Sequence, residues 1–233
     1  MDKSEEARWD KLVSQPDWYV KHWREIWAIS KLESGHPRKV AARMYFEDRL
    51  KTGRIALADH GDNLDIQRLP IDTIVIHHTS NMVPYTLDKM NAVQLLNVYV
   101  PYYLNPRVKG EEHLKNQPIW SNHIIEGKQV FYAYHWFVRM DGSVERLLTD
   151  DQIGWHAGNW DINCRSVAIC LDNDFSNQDP SPVVLRAVAK IIEEHYSGVQ
   201  ADRVLGHREV NDKTTCPGGN FLGGWKQQLI DLI

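Results

Sequence analysis

The sequence predicts an α/β fold: a mixed central β-sheet flanked by helices, with an N-terminal helical extension. Three observations carry this. Residues 72–78 (DTIVIHH) and 166–171 (SVAICL) are short, dense runs of β-branched and apolar residues, of the length buried strands have. Residues 130–139 and 143–148 flank a Met-Asp-Gly turn, the pattern of a β-hairpin. Ser181 followed by Pro182 gives an N-cap and an N1 proline, and VVLRAVAKIIEEHY continues as an amphipathic helix. Strands interleaved with helices around one sheet make the class mixed α/β.

The elements follow in order. Residues 1–34 read as two helices, because Trp9, Leu12 and Val13 share one face, Trp23, Ile26 and Trp27 repeat the spacing, and Pro16 and Asp17 interrupt between them. A third helix runs from Pro37 to about Gly53, and the polar, turn-rich stretch 59–65 (DHGDNLD) is the candidate linker. The strand 72–78 comes next, then a helix over 86–104 with Leu87, Met90, Val93 and Leu96 at helical spacing. The hairpin, the 166–171 strand and the 182–196 helix precede a short strand at 203–206 and a closing helix at 225–233. The organisation expected is a helical extension over 1–69 and a second domain over 70–233 with a long insertion at about 81–130.

Composition narrows the function classes. The 233 residues are 42% hydrophobic and 25% charged, ordinary for a globular chain and unlike collagen-like or disordered ones. A net charge of −4 offers no basic field, so no nucleic-acid partner is expected. Apolar runs such as 73–76 are far too short to cross a bilayer, so no transmembrane segment is expected. Three cysteines make a poor disulfide framework, because an odd thiol is left over. The N-terminus MDKSEEARWDKL has no apolar stretch of a secretory signal, so the chain is expected to be cytoplasmic as synthesised, reaching a cell wall only after release or export. A monomer is expected.

Nine tryptophans and eleven histidines stand out. His77 closes an apolar strand, His207 follows VLG, and Cys216 sits nine positions later in TTCPGG. Imidazole and thiolate are good zinc donors, and three protein ligands with an open fourth position mark a catalytic site. Taken singly, however, a strand-end His is more often a hydrogen-bonded structural residue, and a Cys before Pro a small buried apolar one.

Five strings then appear in order: IVIHHTS, YHWFVRMDGSVERLL, IGWHAGN, NCRSVAICLDNDF and VLGHREVNDKTTCPGG. Together they resemble the zinc-dependent N-acetylmuramoyl-L-alanine amidases, a family that includes phage amidase endolysins and animal peptidoglycan recognition proteins. The resemblance covers roughly 72–80 and 131–233. It implies an amidase-like fold, one Zn2+ ion held by His77, His207 and Cys216, and hydrolysis of the amide between N-acetylmuramic acid and L-alanine in peptidoglycan or a muropeptide. It implies that Tyr134 donates a hydrogen bond to the oxyanion as it forms, and that Thr214, in preference to its neighbour Lys213, is the second catalytic residue. Trp155, His156 and Asn159 align with a loop that lines the substrate groove, with packing of Trp155 as the alternative. His78 falls at a variable position and is expected either to stand behind the metal ligands or to be structural. The carrier of the proton to the leaving amine stays open among His78, Glu126, Lys213 and the metal's own water.

The resemblance has departures. Muropeptide-recycling relatives carry a Glu where this chain has Cys170, which leans the likeness toward the phage and recognition-protein branches. His207 and Cys216 are one residue further apart than in the phage enzymes, and residues 1–69 match no cell-wall-binding repeat. A module that binds peptidoglycan or muropeptides without cutting them is the alternative function, and the intact ligand set argues against it. A structural zinc protein acting through its helical N-terminus is the third class.

Overall fold

The computed structural model describes residues 3–33, 35–81 and 90–233. The chain divides into two compact units, Met1–Asn63 with Met90–Tyr132, and Leu64–Lys89 with Ala133–Ile233.

The first unit is helical. Helices α1 (Lys3–Val13) and α2 (Trp18–Ser30) part at Pro16, where the sequence predicts a break. Helix α3 (Pro37–Thr52) starts on a proline at N1, with the His36 ring accepting the Arg38 N–H at 3.2 Å, and stops at Gly53, whose φ of +67° is left-handed. The core is aromatic. Trp9 meets Tyr45 edge-on at 5.3 Å, and Trp18 packs on Phe46 at the same separation. The tryptophan stripe of α2 is only partly buried. Trp18, Tyr19, Ile26 and Ile29 point inward, whereas Trp27, which shares the helical spacing of Trp23 and Ile26, is 45% exposed beneath the Lys31 ammonium. Arg49 is a buried charge and is paired accordingly, with Asp10 at 2.8 Å, Glu6 at 2.9 Å and Asp48.

The helix expected over 86–104 runs from Asn91 to Leu104 among the described residues, and its predicted start at 86–89 lies outside them. Its middle, Leu95–Tyr99, takes π pitch. Pro101 lacks the N–H that an α-helix would direct back at Asn97, and a wider turn accommodates the proline ring.

The second unit is built on a five-stranded sheet. Its strands are β1 (Thr73–His78), β2 (Trp136–Val138), β3 (Val144–Arg146), β4 (Ser166–Leu171) and β5 (Val204–Gly206), in the order β3-β2-β4-β1-β5. Only the β2–β3 hairpin is antiparallel. The inner strands β1 and β4 are buried along their full length, which is why they read as unbroken apolar runs rather than alternating ones. The first hairpin strand is shorter than the 130–139 expected. At His135 the ladder is replaced by a mixed contact, in which its N–H donates to Ala168 O and its ring nitrogen accepts the Ala168 N–H.

The helix Pro182–His195 covers one face of this sheet. Val184, Leu185, Val188 and Ile192 meet Ile74, Ile76, Val167, Ile169 and Leu171, and the C-terminal segment adds Phe221, Trp225 and Leu229 to the same cluster. That segment begins at Phe221 and ends at Ile230, rather than spanning 225–233. No helix among the described residues is long and apolar enough to cross a membrane.

Ile169 is fully buried and lies opposite Ile76 on one side and Trp136 on the other. Ile169→Ala should therefore cost about 2–5 kcal/mol, read as a lower urea midpoint at unchanged slope.

Candidate metal centre

Side chains alternate between faces along a strand. In β1 this puts Ile74 and Ile76 into the core under the long helix, and Val75 and His77 on the opposite face. His78 returns to the first side. Its Nδ1 accepts the Phe175 N–H at 3.0 Å and its ring stacks on Phe175. The adjacent histidines are thus committed to different tasks by pleat alone.

His207 follows β5, the parallel neighbour of β1, so both histidines emerge at the carboxyl ends of adjacent strands. In open α/β sheets that is where sites form. The Cys216 loop is folded back onto the same end. The Arg208 N–H donates to Cys216 O at 2.8 Å, and the His78 N–H donates to Cys216 Sγ at 3.4 Å. Gly218 makes the return possible: at φ +130°, a Cβ there would sit 2.0 Å from Phe175 O.

Among the described residues, His77, His207 and Cys216 bring their ligand atoms within 4.8 Å of one another. The His77 and His207 rings are 4.6 Å apart, and His77 Nδ1 faces Cys216 Sγ at 3.8 Å. Tetrahedral zinc, with bonds of about 2.0–2.3 Å, spaces its ligand atoms about 3.5 Å apart, so the trio is slightly expanded from that geometry. Protonation suits the same use. Burial lowers the His77 pKa far below its ordinary value, with the neighbouring histidines His207, His156 and His78 adding to it. Burial also lowers that of His207, against the opposing pull of the Ala157 carbonyl. Both rings are therefore neutral and keep a lone pair. Burial pushes the Cys216 thiol up to about 12, opposed by the His78 amide, so a nearby cation is what would favour its thiolate. The donor set fits zinc.

The other expected site residues are placed as follows. The Tyr134 ring lies 5.1 Å from that of His77. Thr214 is half-buried, and its Oγ1 accepts the Cys216 N–H at 3.1 Å. The loop 155–159 is turned inward more than a groove lining would be. Trp155 is buried edge-on against Trp160. Asn159 caps the short helix Trp160–Arg165 by accepting the Ile162 N–H. His156, expected to meet substrate, is buried with both ring nitrogens engaged inside the protein. Nδ1 lies 3.0 Å from His77 Nε2, and Nε2 lies 3.1 Å from Ser166 Oγ.

Three contributors escape sequence reasoning. The Ala157 carbonyl lies 3.1 Å from His207 Nε2, and a backbone oxygen leaves no trace in a motif. Asn163 Oδ1 accepts two amides, from His156 at 3.2 Å and Ala157 at 2.8 Å. Ser166 is a fully buried hydroxyl, and its place at the head of the apolar run SVAICL is the one sequence signal that could have pointed to it.

Residues 67–219 match the family described as N-acetylmuramoyl-L-alanine amidase. The chain is 21% identical over 126 residues to the 1,6-anhydro-N-acetylmuramyl-L-alanine amidase AmpD of Haemophilus influenzae, covering 51% of this chain and 68% of that one. Among solved structures, the N-acetylmuramoyl-L-alanine amidase LysC from Clostridium intestinale is similar at 20% identity and a TM-score of 0.47, covering 76% of this chain and 96% of that one. The Drosophila peptidoglycan recognition protein SD is similar at 20% identity and a TM-score of 0.43, covering 70% and 83% respectively.

Replacing Asn163 by Ala strands two buried amides at 156 and 157. Chemical denaturation should record a loss of about 2 kcal/mol or more.

Proposed function

Since its residues 67–219 match that family over more than half its length, the chain belongs to the N-acetylmuramoyl-L-alanine amidases, and from that premise we propose that it is a zinc hydrolase cleaving the amide between N-acetylmuramic acid and L-alanine in peptidoglycan. The observation that carries the proposal is the convergence of His77, His207 and Cys216, from three separate segments, within 4.8 Å of one another.

His77, His207 and Cys216 would hold the zinc in this reading. The chemistry zinc supplies there is polarisation of a carbonyl and a lowered pKa for a coordinated water. The protein's own groups do the rest. Tyr134, beside His77, donates its phenolic proton in a hydrogen bond to the carbonyl oxygen as negative charge grows, an interaction stronger in the transition state than in the substrate. Thr214 accepts the Cys216 amide and retains its own hydroxyl proton, and a catalytic role for that hydroxyl rests on the family resemblance. A substrate role for Trp155 and Asn159 rests on the family resemblance. Hydrolysis breaks the carbonyl C–N bond, with the hydroxyl added to the lactyl carbon and a proton to the alanine nitrogen.

Incubation with purified sacculi should release new L-alanine amino termini, at one zinc per chain, with loss on chelation and recovery on zinc addition. Cys216→Ala should abolish release, and Tyr134→Phe should lower the rate by about 100-fold or more while sacculus binding persists. Undiminished cleavage by Cys216→Ala would overturn the metal assignment. Binding by the wild type without any release would instead favour a recognition module.

A further inference from the structure

The hydrogen bonds behind the two histidines run in one direction, and their far ends fix that direction. The chain from His77 begins with Nε2, 3.0 Å from His156 Nδ1, continues from His156 Nε2 to Ser166 Oγ at 3.1 Å, and ends with Ser166 Oγ donating to Ile162 O at 2.6 Å. A carbonyl oxygen only accepts, so the single hydroxyl hydrogen of Ser166 is spent on Ile162. Ser166 must then accept from His156 Nε2–H. A neutral imidazole carries one N–H, so His156 Nδ1 is left as an acceptor and takes the proton of His77 Nε2. The lone pair of His77 therefore lies on Nδ1, the atom that faces Cys216 Sγ. The same logic holds for His207, whose Nε2 lies 3.1 Å from another pure acceptor, Ala157 O.

Both constraints come from consecutive residues of one loop, and the amides of both are gripped by Asn163. We propose that His156 is a positioning residue for the metal centre: together with the Ala157 carbonyl, and backed by Ser166 and Asn163, it locks the tautomer and ring angle of both histidine ligands so that each presents Nδ1. This rests on the zinc reading above and assigns His156 a task other than contact with substrate.

The test is zinc affinity of the full chain by competition with a chromogenic chelator, paired with the visible spectrum of the cobalt-substituted protein. His156→Ala should weaken zinc binding by about 10- to 100-fold and shift the cobalt bands. His156→Asn, whose amide oxygen replaces Nδ1 as acceptor, should restore both toward wild type. Ser166→Ala should weaken binding to a lesser degree. Nitrogen-labelled histidine NMR of the wild type should find the proton on Nε2 of both His77 and His207, a readout independent of whether any variant folds.

Wild-type affinity and an unchanged cobalt spectrum in His156→Ala, or the opposite tautomer at His77, would overturn the positioning role. If His156→Ala binds as wild type while Cys216→Ala does not, this inference fails and the zinc reading stands. If the wild type binds no zinc, or Cys216→Ala binds it equally well, the zinc reading itself falls.

Discussion

The two-residue period of an extended strand is the constraint from which the rest of the second unit follows. In β1, one face anchors Ile74 and Ile76 in the core beneath the long helix, while the other carries His77. The more firmly the apolar face is held, the less freedom the imidazole has, because a one-residue slip would exchange the two faces. Pairing with β4 on one side and β5 on the other removes that slip, and β5 delivers His207 at the matching end. Only the third donor, Cys216, comes from a loop, and that loop is tied down by Arg208, by the His78 amide and by a glycine no other residue could replace.

The loop 155–159 shows how a small region can hold a site from the outside. Its residues use their side chains on the protein's own groups: Trp155 on Trp160, His156 on His77 and Ser166, and Asn159 on the helix cap. A buried polar network is worth having only when every member is satisfied. Here the chain of donors terminates on Ile162 O, the amides of 156 and 157 share Asn163, and the Ala157 oxygen takes both His207 and Asn211.

Much of this was legible in the sequence because the signals were local or periodic. TIVIHH and SVAICL announce their strands, Pro16 and Gly53 punctuate the helices, and the ordered strings contain His77, His207 and Cys216, which the fold brings together. What was not legible depends on distant partners. The motif WHAGN shows that His156 is present but not which way it points, because Ser166 and Ile162, which settle its orientation, lie on other elements. The tryptophan stripe of α2 suggested a buried Trp27, yet the burial arc of that helix is centred on Trp18, Tyr19, Ile26 and Ile29 and leaves Trp27 outside. The π turn at Leu95–Tyr99 likewise depends on how the helix accommodates Pro101, which helical spacing alone does not show.

The donors are far apart along the chain: Cys216 and His77 are separated by 139 residues. Loop closure over such a distance is slow and is repaid only once the intervening sheet has formed. The three side chains are therefore brought together by the folded sheet and not by their closeness along the chain. On the zinc reading, the affinity of the ion would then add to the stability of the native state and make it a thermodynamic keystone for the sheet that assembles its site.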